Sequence, residues 1–165
     1  MARSRMLRHL LTPHWRLRCC FPASTQSAIE AAIQASEHQH GGQIRFAVES
    51  ALPAARLWRG QTPRERALEV FAQLGVWDTE HNNGVLIYLL LADRAVEIVA
   101  DRGVSRRVAV QAWADICRDM ETAYRAGSYE AGSVAGITAV THCLAEHFPP
   151  QAGGSNELPD KPVLL

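Results

Sequence analysis

Lysine is almost missing from this chain: Lys161 stands alone, and arginine supplies the remaining basic charge. Nor is either sign in surplus. Lys plus Arg and Asp plus Glu number 17 each, so no overall field draws the molecule onto nucleic acid or a membrane surface. Long hydrophobic runs are also lacking. The longest, Val85 to Ala92, is 8 residues, whereas a helix spanning a bilayer needs about 20. Cysteine is sparse and unpatterned. Cys19, Cys20, Cys117 and Cys143 make no C-x-x-C pair and no cysteine–histidine cluster, and adjacent Cys19 and Cys20 pair poorly with each other. Neither a structural zinc site nor a disulfide framework is expected. The chain also lacks a P-loop, a G-x-G-x-x-G fingerprint, a C-x5-R loop and an H-E-x-x-H helix. His142, Glu146 and His147 share a helical stretch, but their spacing fits a polar helix end rather than a zinc motif.

Acid is absent from residues 1–29, which carry Arg3, Arg5, Arg8, Arg16 and Arg18; the first carboxylate is Glu30. Pro13, His14 and Trp15 interrupt any apolar segment after these arginines, so a secretory signal is not expected. Residues 1–22 read as a basic arm wrapped onto the domain, able to contact an anionic partner. The mature chain is expected to keep Met1 or Ala2, and to be a soluble, cytoplasmic protein.

What is present describes one globular domain. At 165 residues, 47% apolar and 21% charged, the chain can bury a full core. Ser27 to Glu30 has capping-box form, Ile29, Ala32, Ile33 and Ser36 follow at helical spacing, and Gly41-Gly42 stops the helix. Ile44, Phe46 and Val48 alternate with Arg45, Ala47 and Glu49, the pattern of a strand with one buried face. Thr62-Pro63-Arg64-Glu65 starts a helix carrying Leu68, Phe71 and Leu74, and Gly75 ends it. Val85 to Leu91 is apolar without alternation, as in a central strand covered on both faces, and Ala95 to Asp101 returns beside it. Helices follow over Arg106 to Ala126 and Tyr129 to Phe148; Trp58, Trp77 and Trp113 read as core or edge packing. The order α-β-α-β-β-α-α requires a right-handed parallel crossover and then an antiparallel hairpin. The expected fold is a three-layer α/β/α sandwich over residues 23–150 with a small mixed sheet. The stretch 151–165 is expected to be a flexible tail.

If Ala92 and Asp93 form the hairpin turn, paired residue numbers sum to 185, and Gly84 faces Asp101. A turn centred one residue later shifts the pairing by two. Either way Asp78, Glu80, Asn82, Asn83 and Asp101 gather at one end of the sheet, with Glu37, Trp77 and Arg102 as possible walls. Such oxygen donors suit a hard cation, Ca²⁺ or Mg²⁺. The same residues also suit a plain turn, since Asn and Gly accept positive φ and Asp caps backbone amides.

The stretch "NNGVLIYLLLADRAVEIVADRG", flanked by "FAQLGVWDTE" and "GSYEAGSVAGITAV", resembles the TPM-domain family over about Ser24 to Phe148. Asn82, Asn83, Gly84, Asp93, Arg94 and Asp101 match its hairpin pattern. The resemblance implies an α/β/α sandwich, with divalent-cation binding in some members and acid phosphatase activity in others. Two readings follow: a cation-binding or assembly module of unknown partner, or a metal-dependent phosphoester hydrolase. No organic cofactor is expected.

Overall fold

Alternation along the strands decides how the layers form. The computed structural model describes residues 2–150 and 156–165. Two short helices, α1 (Ala2–Leu10) and α2 (His14–Cys20), lead into α3 (Ala23–Glu37) and strand β1 (Gln43–Glu49). Helices α4 (Ala54–Trp58) and α5 (Pro63–Gln73) precede the hairpin β2 (Gly84–Leu90) and β3 (Ala95–Ala100). Then come α6 (Arg102–Ser105), α7 (Val110–Arg125), α8 (Tyr129–His147) and a terminal strand β4 (Val163–Leu164). The sheet order is β3-β2-β1-β4: β2 is parallel to β1 and antiparallel to β3, and β4 is parallel to β1.

Ile44, Phe46 and Val48 of β1 and Val85, Ile87 and Leu89 of β2 face one side. There they pack with Ile29 and Ile33 of α3, Trp113, Ile116 and Met120 of α7, and Ile137 and Leu144 of α8. The intervening residues Ala47, Leu86, Tyr88 and Leu90 face the other side, against Ala67 and Val70 of α5. This is the expected α/β/α sandwich. The interior position of β2 explains its continuous apolar run, since both of its faces are dry. The register is also the expected one, with Val85 opposite Ala100 and Leu90 opposite Ala95. The Thr62 capping box forms: its hydroxyl accepts from Glu65 N at 3.2 Å, while Glu65 accepts from Thr62 N at 2.7 Å.

Several expectations are corrected. Strand β1 is buried on both faces, not one. Its charged positions are tolerated because each is paired: Glu49 with Arg66 at 2.8 Å and with the Tyr88 hydroxyl at 2.6 Å, and Arg45 with the carbonyls of Pro159 and Lys161. Helix α3 starts at Ala23 after Pro22, four residues before the Ser27 box. The helix expected from Arg106 starts only at Val110, because Ala109 before it is extended (φ −65, ψ 140), and the short α6 ends at Ser105. The basic arm is helical and integral, since Leu17 and Phe21 are fully buried in the core. The tail is not loose over 156–165. Leu165 N donates to Val48 O at 2.8 Å, and Leu158 is buried against the α5 face. Residues 151–155 lie outside the described residues. Trp58 and Trp77 are exposed, so only Trp113 joins the core.

Candidate functional site

Strand β2 begins where β3 ends, so the loop 77–83 and the segment 101–103 are neighbours. The Thr79 hydroxyl accepts from Asn83 N at 3.1 Å, and Asn82 takes a left-handed turn at φ +51. The Asn82 carbonyl then accepts from Gly103 N at 3.0 Å. The approach there requires glycine: a Cβ on Gly103 would lie 2.6 Å from that carbonyl oxygen. Asn83 crosses to β1, its side-chain amide donating to the Gly41 carbonyl and its own carbonyl accepting from Gln43 N at 3.1 Å. Asp101 N donates to Gly84 O at 2.9 Å, while Asp101 Oδ1 accepts from Arg102 N at 2.6 Å and caps α6. Asn83 and Asp101 are both buried, yet Asn83 Oδ1 and Asp101 Oδ2 have no hydrogen-bond partner among the described residues.

The other expected site residues stand differently. Asp78, Glu80, Trp77 and Arg102 are exposed. Glu80 N donates to the carboxylate of Glu157 at 2.9 Å, so the C-terminal segment joins this loop. Glu37 faces that segment too. Burial, and then the hydrogen bond and charge of Asp160, push its carboxyl pKa up to about 7. His38 is exposed, whereas His40 is buried and accepts from Gly42 N through Nδ1 at 3.0 Å. Burial pushes its pKa down to about 4, so it is neutral at physiological pH. Among the described residues no three His, Cys, Asp or Glu side chains are grouped to hold a metal, so Asp78, Glu80 and Asp101 do not preform a three-carboxylate cage. The donors fit a hard cation in kind, being oxygens with unused lone pairs, and any shell built on them would need further oxygens.

A family model described as the TPM domain matches residues 20–143. The chain belongs to the TPM-domain family. Among solved structures it is similar to BA42 from the psychrophilic bacterium Bizionia argentinensis. That likeness has 28% identity and a TM-score of 0.76, covering 87% of this chain and 94% of that one. It also resembles the N-terminal domain of a P. gingivalis protein, a likeness of fold alone at 22% identity and TM-score 0.61, covering 79% of this chain and 82% of that one. No curated protein matches.

Two features of this TPM domain escaped the sequence reading. The first is Glu157, invisible because nothing local shows that the tail returns to the loop at Glu80. The second is the partner set of Asp93, at the opposite end of the hairpin. Its buried carboxylate meets Arg5 Nη2 at 2.7 Å, Arg8 Nη2 at 3.3 Å and His9 Nε2 at 3.1 Å. His9 Nδ1 accepts from Leu52 N at 2.9 Å, which places the imidazole proton on Nε2, facing Asp93. Burial opposes the Asp93 charge, but hydrogen bonds from Arg5 and His9 outweigh it and hold the carboxyl below its usual range. The motif aspartate of the turn therefore anchors α1, and Arg5, Arg8 and His9 all lie before the matched segment.

Proposed function

We propose that this TPM domain is a divalent-cation-binding module, taking Ca²⁺ or Mg²⁺ where β2 begins and β3 ends. The observation that carries the reading is the pair of buried acceptors without partners, Asn83 Oδ1 and Asp101 Oδ2. A buried carboxylate oxygen without a donor is costly, and buried polar groups nearly always find one. A cation would turn that cost into binding energy. The shell would draw on Asp101 and Asn83 first, then on the exposed Asp78 and Glu80 of the same loop, with Glu157 alongside and water completing it. A cytoplasmic location belongs to the same proposal. No helix among the described residues is long and apolar enough to cross a membrane.

The test is a Ca²⁺ and Mg²⁺ titration of the full chain, followed by amide NMR and by melting temperature. Shifts should concentrate at residues 78–84 and 101–103, and the melting temperature should rise, because the cation binds the folded state. Asp101→Asn should abolish both effects and leave the apo protein folded, since asparagine caps a helix as well as aspartate does. A melting temperature unmoved by either metal up to about 1 mM, the weak end of the range for protein calcium sites, sinks the reading. Phosphoester hydrolysis is assayed in the same samples. Turnover that requires the metal and is lost with Asp101→Asn would make the module a hydrolase.

A further inference from the structure

At the other end of β2, outside the carboxyl ends of the parallel strands β1 and β2, lies a cavity of about 490 Å³. Open α/β sheets bind ligands at this end. Its walls come from α1, α2, the hairpin turn and the connection between α7 and α8, and they carry Arg8, Arg16, Arg94 and Arg125 with no carboxylate among the lining residues. Arg8 and Arg16 come from the basic N-terminal stretch, Arg94 from the hairpin turn and Arg125 from the end of α7, so only the fold brings the four together. Arg8 and Arg125 each have one carboxylate contact, to Asp93 at 3.3 Å and to Glu121 at 2.9 Å. The side chains of Arg16 and Arg94 make no hydrogen bond or ion pair among the described residues, although both charges act on the hydroxyl of Tyr129, which also lines the cavity. Arg94 is held at φ +53, a left-handed conformation that arginine rarely adopts. Like charges gathered around one cavity repel one another, and Asp93 and Glu121 offset only Arg8 and Arg125, leaving Arg16 and Arg94 without an ion pair among the described residues.

We propose that this cavity binds a small organic diphosphate of the nucleoside-diphosphate class. A guanidinium fork takes two oxygens of an anion. One phosphate cannot satisfy four forks, whereas two adjacent phosphates can, with Arg16 and Arg94 as the principal contacts and Arg8 and Arg125 at the rim. The apolar wall at Leu11 and Leu89 then faces the organic part. The volume lies within the usual range for small-molecule sites, about 300–1,000 Å³. A concave site of this size, with walls from four parts of the fold, favours a small molecule over a membrane surface. The site is separate from the proposed cation site, and a chelator keeps the two tests apart.

The experiment is calorimetric and NMR titration of the full chain with ADP in the presence of EDTA. Saturable binding should weaken with added salt, with amide shifts at residues 8–20, 89–94 and 124–129. Arg16→Gln and Arg94→Asn should each weaken binding about tenfold, the loss expected for one charge-assisted contact. Both variants should keep the wild-type unfolding midpoint, because Arg16 is exposed and asparagine accepts positive φ. Arg18→Gln, exposed on the same helix but away from the cavity lining, should bind ADP normally. AMP should bind about tenfold more weakly than ADP, having lost one phosphate's charge-assisted contacts. Four results overturn the proposal: no ADP-dependent shifts, equal affinity for AMP and ADP, an equal loss with Arg18→Gln, or binding only to phosphatidylserine vesicles.

Discussion

Gly84 shows how closely single positions are constrained around the candidate site. A Cβ there would lie 2.0 Å from the carbonyl oxygen of Val76, a backbone atom that cannot swing aside. Gly84→Ala should therefore cost roughly 3 kcal/mol, at the upper end of overpacking penalties, as measured by urea denaturation. A loss under about 0.5 kcal/mol, the range of a neutral surface change, would show that the β2 entry relaxes freely. The buried trio Glu49, Arg66 and Tyr88 illustrates the same point in polar terms. Arg66 holds Glu49 through Nε at 2.8 Å and Nη2 at 3.3 Å, and Tyr88 donates to it at 2.6 Å. Each group makes the others' burial possible. The alternation of β1 therefore signals strand but misstates exposure, because a charged residue is hidden only when its partner arrives from another element.

The docked C-terminal segment is the least expected element, and its attachment carries a pH dependence. Glu37 holds its proton to about 7 in the folded chain, through burial and through Asp160, against an ordinary value of 4.5. Between those values the folded state binds more protons than the unfolded one, so this contact stabilises docking most at low pH and fades as pH rises towards 7. The amide NMR signals of Leu158 and Leu165 should report firm docking at pH 5 and partial release at pH 8. Glu37→Gln, a neutral mimic of the protonated acid, should remove the pH dependence and keep the segment docked. Identical signals at both pH values in the wild-type chain would rule this out. His40 acts in the opposite sense. Its folded pKa is lowered to about 4, so the stability tied to its neutral form is present above about 6.5 and is lost as pH falls towards 4.

At the scale of the whole molecule, the N-terminal helices are part of the fold rather than an attachment to it. Leu17 and Phe21 are fully buried in the core, and Asp93 is closed off by Arg5 and His9. Removing residues 1–20 deletes the Leu17 side chain and strips away the cations that close off the Asp93 carboxylate. By analogy with core truncations and broken buried pairs, the loss should be about 4 kcal/mol or more, read as a fall in the unfolding midpoint. A truncated chain as stable as the full one would show that the N-terminal helices contribute nothing to the fold. The same helices supply Arg8 and Arg16 to the arginine-lined cavity, so truncation should also abolish ADP binding.

Short-range chemistry made part of this protein legible from its residues alone. The Thr62 box, the apolar run of β2, the hairpin register and the turn role of Asn82 all depend on neighbours a few positions away. That was enough to bring Asn83 and Asp101 together at one end of the sheet. Only the tertiary structure decided which charges are buried and with whom: Arg45 with the tail, Glu49 with Arg66, Asp93 with Arg5 and His9, Glu37 with Asp160. Those partners lie from 17 to more than 100 positions apart. Coulomb and hydrogen-bond energies depend on distance in space, and sequence patterns report only distance along the chain.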